Sequence, residues 1–275
     1  MIAVAISGIV LGGVYTAFVA QRQNYDAQEQ VTDVQQSSRA SMYLMTREIR
    51  LAGYDSTFSR NFGITDIKFR DLNNAEVTPA NGGISAITFT YDQDGTGGAP
   101  ALSDTVRYRL YDSGGDGISD LGRSVETPPP ATPQPLADNV IAMGLAYAYD
   151  SDGDGNLDTY AAGGNNVVIW AIDSNNDNNL DLNLDTDADG DIDEDDGPGL
   201  GGSGTIGGTA IIPVVSIDKI RAVKIWLLVR SFRQDAGGFV DTKTYVVGNR
   251  VITPNTNFRH RLLHTTVYCR NLGLD

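Results

Sequence analysis

Met1 to Ala20 reads MIAVAISGIVLGGVYTAFVA, a run with no charged residue and nothing more polar than Ser7, Tyr15 and Thr16. At 1.5 Å per residue, about 20 apolar residues are enough to cross the hydrocarbon layer of a bilayer, so the run reads as an anchor. Gly8 and Gly12 give it a small-xxx-small face on which a second helix can approach closely. A cleaved secretory signal would normally carry a basic n-region and an A-x-A-like cleavage site, and neither is evident.

Beyond Gln21 the residues turn polar, yet Val31, Val34, Met42, Met45, Ile49 and Ala52 keep a three-four spacing, with Ser38 in the gap. No proline falls between Met1 and Ala52, and Gly53 stands where a helix C-cap belongs. The sequence therefore predicts one helix of about fifty residues. Residues 1–22 are its apolar half, residues 23–53 its amphipathic half, and residues 54–275 form a β-rich head.

The run AVAISGIVLGGVYTAF, the polar helix after it and MTREIRLAGYD resemble the N-terminal helix of type IV pilin-like proteins, specifically the PilW-like minor pilins. IRAVKIWLLVRS and FRHRLLHTTVYCRNLG resemble the terminal strands of the same family, so the resemblance covers both ends of the chain. It implies a prepilin whose processing motif, Gly-Phe-Thr-Leu-Ile-Glu, lies just upstream of an internal Met1. A basic leader before that motif would keep the N-terminus in the cytoplasm, whereas Arg22 as the nearest charge would misorient the chain under the positive-inside rule. The resemblance also implies a single-pass inner-membrane protein with a periplasmic head that later joins an extracellular pilus. Its partners would be other minor pilins and the major pilin.

Composition bounds the head. With 275 residues and 41% hydrophobic content, the chain can supply an anchor helix and one large globular unit. Thirty-one glycines and ten prolines point to many loops, and the single cysteine, Cys269, rules out an intrachain disulfide to stiffen them. From Asp150 to Asp196 there are fourteen Asp, one Glu and no Lys or Arg, a local charge of −15 that equals the net charge of the whole chain. The remaining 20 acids and 20 bases balance. Such a block repels itself unless cations neutralise it, and it excludes the basic footprint of a nucleic-acid binder.

Alternation predicts strands at Ile84–Tyr91 and Thr105–Tyr111, pairing as a hairpin, and at Val140–Tyr149 and Val167–Ile172. In Ile220–Phe232, Val223, Ile225, Leu227 and Val229 form a core face, with Lys224 and Arg230 opposite. Thr244–Ile252 and Leu262–Tyr268 are expected to complete that antiparallel sheet. Thr127–Pro135 reads as a stiff surface connection and Gly197–Gly208 as a flexible link.

The chemistry lies in the acidic block. Asp150, Asp152, Asp154, Asn156 and Asp158 place oxygens at positions 1, 3, 5, 7 and 9 of a loop with Gly155 at position 6 and Leu157 at position 8. Calcium takes six to eight hard oxygens, and glycine permits the turn that converges them. Asp185, Asp187, Asp189, Asp191 and Asp193 repeat the pattern with Gly190 and Ile192, and Asp196 stands at position 12. Asp173, Asn175, Asp177, Asn179 and Asp181 make a third copy with Asn178 in place of glycine. None has a bidentate Glu at position 12 and no helices flank them, so these are stand-alone loops rather than paired EF-hands. Tyr91–Gly95 and Asp112–Gly117 carry fragments of the motif and read as turns.

Enzyme readings find little support. His260 and His264, the only histidines, lie in a predicted strand with no metal-protease motif, Cys269 lacks a local base, and no phosphate-cradling glycine loop is present. The sequence thus predicts an α+β, pilin-like fold, a long N-terminal helix on an antiparallel sheet with calcium-loop insertions, and a structural minor pilin that binds Ca2+. A minor pseudopilin of a type II secretion system is the alternative in the same class, and a membrane-anchored calcium-dependent adhesin in another.

Overall fold

A computed structural model of the chain describes residues 2–125, 132–162, 164–196, 204–235 and 238–273. Helix α1 spans Ile2–Ile49. It stops three residues before the expected Ala52, because Leu51 and Ala52 already turn on bonds to the Glu48 and Ile49 carbonyls, and Gly53 sits in the left-handed region at φ 79°. Val34, Ser38, Met42, Met45 and Ile49 are buried, the stripe that the spacing indicates. Fully burying a side chain such as Met45 or Ile49 contributes about 1.5–3 kcal/mol.

Strands β1 (Ile64–Asp66), β2 (Ile87–Thr90), β3 (Thr105–Tyr111), β4 (Asp120–Val125) and β5 (Gln134–Ala137) form an antiparallel meander in that order. β2 and β3 pair as expected. Of the expected proline-rich connection, residues 127–131 lie outside the described set, and Gln134 and Pro135 belong to β5. β5 is an edge strand, the position in a sheet that tolerates proline.

The chain continues through β6 (Val140–Tyr149), β7 (Thr159–Ala162), β8 (Asn165–Val168), β9 (Ala171–Ile172), β10 (Asn179–Asn183), β11 (Gly204–Thr205), β12 (Thr209–Ser216), β13 (Ile220–Arg230), β14 (Tyr245–Val247), β15 (Arg250–Ile252) and β16 (His260–Tyr268). A six-stranded sheet runs β12-β10-β9-β6-β13-β16, a three-stranded sheet β11-β15-β14, and β7 and β8 make a separate hairpin. The strand expected over Val167–Ile172 is therefore two. Ile169 donates to the Asp158 carbonyl and Trp170 to the Asn183 side chain, which carries the chain from the hairpin into the large sheet.

A second correction concerns the C-terminal strands. β16 pairs with β13 from Ala222–Tyr268 to Arg230–His260, whereas β14 and β15 leave that sheet and pair with each other, β15 pairing with β11 on its other side. Part of the expected flexible link is consequently ordered, with Gly204 and Thr205 in β11 and Ile206 buried; residues 197–203 lie outside the described set.

Two cores result. Val223, Ile225, Leu227 and Val229 join Met45, Ile49, Phe89 and Tyr108 between α1 and the two large sheets. The back of β13 is also covered, with Ala222, Trp226 and Leu228 packing under Val246 and Val247. Gly144 in β6 explains how the small sheet comes so close: a Cβ there would stand 2.4 Å from the Gly248 nitrogen.

Beneath α1, Glu48 accepts from Arg123 Nε at 2.8 Å and from the Tyr108 hydroxyl, a buried ionic contact between helix and meander. Burial, then the Glu48 contact, pushes the Tyr108 phenol well above its ordinary range. Cys269 is buried against the Ile49 carbonyl, and burial raises its thiol to about 12. Among the described residues no helix is long and apolar enough to cross a membrane. The side chains of Met1, Ile2, Val4, Ala5 and Ile9 are outside that set, so the expected anchor rests on the sequence.

Candidate metal centres

The first acidic loop leaves the end of β6. Asp150 is buried, and its carboxylate accepts from the backbone N–H groups of Gly153 at 2.6 Å and Gly155 at 3.1 Å. Gly155 makes this possible at φ 85°, a conformation costly for a residue with a Cβ. Burial opposes ionisation of Asp150, but those N–H groups outweigh it and hold the carboxyl below its ordinary value. One oxygen from each of Asp150, Asp152 and Asp158 falls within 4.8 Å of the others, a group that could hold a metal ion. Asp154 instead accepts from the Asn156 N–H at 2.8 Å.

The loop after β10 is built alike. Asp185 accepts from Ala188 at 2.8 Å and Gly190 at 2.9 Å, with Gly190 at φ 97°. Asp185, Asp187 and Asp196 bring oxygens within 4.8 Å of one another, joining positions 1, 3 and 12. Lost solvation and the carboxylates of Asp189, Asp196 and Asp185 push the Asp187 carboxyl up, the mark of anions crowded without a counter-charge. Asp189 accepts from the Asp191 N–H, and Asp193 from that of Asp195. Ile192 and Leu157, the position-8 residues of the two loops, both pack into the back core. Lys224 ties the second loop down, 3.5 Å from Asp191 and 5.5 Å above the rings of both Trp170 and Trp226.

The Asp173–Asp181 copy is put to another use. Asn176 and Asn178, at φ 65° and 64°, turn their side chains onto the backbone of Ile67 and Phe69, where Asn178 Oδ1 accepts from Ile67 and Asn176 bonds Phe69 on both sides. Asp173 is fully buried, accepts from Asp177 and Asn178, and burial raises its carboxyl. Asn175 donates to Asp177, and Asp181 accepts from Ser174. Among the described residues this copy gathers no three carboxylates within the same reach.

A third cluster forms around Tyr91–Gly95, where the sequence indicates only a turn. Asp92, Asp94 and Asp104 converge within 4.8 Å, with Asp92 and Asp104 buried. The Asp-x-Asp-Gly start at Asp92 was the available signal, but Asp104 reaches it from the far end of a loop where no local spacing marks it. The Asp112 fragment remains a turn, its carboxylate accepting from Gly115 and Gly117.

These features define an α+β protein in which a long N-terminal helix lies on antiparallel sheets and acidic oxygen clusters sit in the loops. No protein-family model matches the chain, and no curated protein sequence does. Among solved structures, a type IV-like pilin from Thermus thermophilus is similar, with a TM-score of 0.40 and 13% identity, over 87% of this chain and 98% of that one. A likeness at that level does not decide function.

Proposed function

We propose that this chain is a structural minor pilin that helps to initiate, assemble or cap a type IV pilus, with calcium ions ordering its acidic loops. In this reading residues 1–22 lie in the inner membrane before assembly and in the filament core afterwards. Residues 23–53 fasten that rod to the head, which faces the periplasm and then the exterior beside the other minor pilins and the major pilin. The chain has no catalytic role in this reading.

The observation that carries the reading is the two-part character of α1. Ile6, Val10, Leu11, Val14, Tyr15 and Phe18 are exposed, whereas Met45 and Ile49 are fully buried on the same helix. So many exposed large apolar side chains on one rod call for lipid or neighbouring helices to cover them. Calcium is supported by the clusters at Asp150, Asp152 and Asp158 and at Asp185, Asp187 and Asp196, hard oxygens of the kind it prefers.

A Cβ on Gly8 or Gly12 would meet nothing within 4 Å, so leucine at either position leaves the head undisturbed. Gly8→Leu and Gly12→Leu are expected to lower incorporation into pili and co-purification with the other minor pilins. Normal piliation and normal co-purification in both variants would refute the helix as an assembly surface.

A further inference from the structure

In β3, Val106, Tyr108 and Leu110 point into the core, so Arg107 and Arg109 stand on the outer face of the meander. Arg109 donates twice through Nη1, to the Leu72 carbonyl at 3.1 Å and to the Leu110 carbonyl at 3.2 Å. Those two bonds fix the guanidinium plane. They leave Nε and Nη2 open, and among the described residues no carboxylate pairs with them. Nε and Nη2 form the edge of a guanidinium that grips a carboxylate or a phosphate through two parallel N–H bonds.

Arg109 borders a cavity of about 410 Å3, the size of a small-ligand site, with Arg107, Tyr111, Ser124, Asn73 and Thr132 among its walls. Arg107, itself bonded to Thr88 at 2.9 Å, stands opposite Ser124 in the β3–β4 ladder. Gly122 stands opposite Arg109, where a Cβ would come within 2.5 Å of the Tyr111 ring. Its absence lets that ring lie beside the guanidinium, 5.6 Å from the guanidinium carbon to the ring centre. Two carboxylates come near, and both are engaged: Asp71 accepts from Asn73 and Ala75, and Asp112 from Gly115, Asp116 and Gly117. Arg70 is paired with Asp66 at 2.7 Å. Burial, then the charges of Arg107 and Arg70, press the Arg109 guanidinium below its ordinary value, a cost that a bound anion relieves.

We propose that Arg109 anchors an anion-binding site on the outer face of the meander, which takes the carboxylate or phosphate group of an acidic sugar. The open Nε–Nη2 edge holds the anion, and Arg107 adds charge beside it. The Ser124 and Thr132 hydroxyls and the Asn73 amide offer hydrogen bonds to the hydroxyl groups of the sugar ring. Walls with this many polar groups suit a hydroxylated body better than an acyl chain. The negative charge of the chain as a whole does not forbid the site, because at physiological salt exposed charges more than about 8 Å away are largely screened. The site shares no residue with the three carboxylate clusters, so it depends on neither the pilin reading nor the calcium reading.

Titration calorimetry and melting curves on the full-length protein in detergent, in calcium-free buffer at about 0.15 M salt, test the site with D-glucuronate, glucose 6-phosphate and glucose as probes. One equivalent of an anionic sugar is expected to bind, at least about tenfold more tightly than glucose. The tighter of the two anions identifies the ligand as a uronic acid or as a phosphorylated sugar. Arg109→Lys keeps the charge but loses the fork, and should weaken the anion by at least about tenfold. Ser124→Asp sets a carboxylate in the cavity and should weaken it as much, while Arg109 and its two carbonyls stay in place, so the site is tested even if Arg109→Lys fails to fold. Arg270→Gln, at an exposed arginine outside the cavity, should bind as the wild type does. No heat and no rise in Tm with either anion at about 10 mM, equal affinity for glucose, or wild-type affinity in a folded Arg109→Lys or Ser124→Asp would each overturn the site.

Discussion

Calcium should raise the melting temperature of the full chain, and the make-up of the acidic loops sets the scale. Clusters of three carboxylates without a bidentate glutamate belong at the weak, extracellular end of calcium affinity, with Kd on the order of 0.1 to 1 mM. At about 10 mM calcium such a site sits roughly 10- to 100-fold above Kd and adds about 1.4 to 2.7 kcal/mol to the folded state by mass action. For a chain of this size each kcal/mol moves Tm by about 2–4 °C, so one site is worth about 3 to 10 °C. Asp185→Asn with Asp196→Asn removes two of the three carboxylates of one cluster. Each amide keeps one oxygen but replaces the other acceptor with a donor, so Asp185 loses the N–H of Ala188 or Gly190 and Asp196 that of Thr186 or Asp193. This pair should remove one part of the calcium shift and Asp150→Asn with Asp158→Asn another part, because the two loops share no ligand, with any remainder falling to the Asp92, Asp94 and Asp104 cluster. Because the Asp185/Asp196 variant loses those bonds while relieving the crowding that raises Asp187, its calcium shift is read against its own melting point in chelator. Magnesium should give a smaller shift, as it demands tighter octahedral geometry and gives up water reluctantly. Scanning calorimetry with titration calorimetry decides the matter: equal melting in calcium and chelator, with no binding heat, would refute the ion sites.

Two further outcomes test how the head is held together. Arg123→Met leaves Glu48 buried with only the Tyr108 hydroxyl, and should lower stability by about 3 kcal/mol in denaturant titrations. Adding Glu48→Met should recover much of it, and a single-variant loss under about 1 kcal/mol would show the contact to be solvated. Gly144→Ala drives a Cβ into the Gly248 backbone and should cost about 1–3 kcal/mol. Gly204→Ala, with open space around it, should stay within about 0.5 kcal/mol.

The sequence by itself determined the elements whose signal is local. The Val31–Ile49 stripe, the alternation of Thr105–Tyr111 and the apolar runs Val140–Tyr149 and Ile220–Arg230 each specify an element within one segment, because helix and strand periods are properties of neighbouring residues. The Asp-x-Asp-x-Asp-Gly spacing likewise placed Asp150 and Asp185 at the head of their loops, since a carboxylate collecting N–H groups three and five residues on is a local turn. Only the tertiary structure decided what covers the back of β13, because β14 and β15 that lie over Trp226 and Leu228 come from a segment whose own pattern says nothing of its sheet. It alone joined Asp104 to Asp92 and gave the amides of Asn176 and Asn178 to Ile67 and Phe69. It also set His260 against Asp241 and Tyr245. These contacts link residues far apart in the chain, and they form only because packing two cores around one sheet brings those segments together.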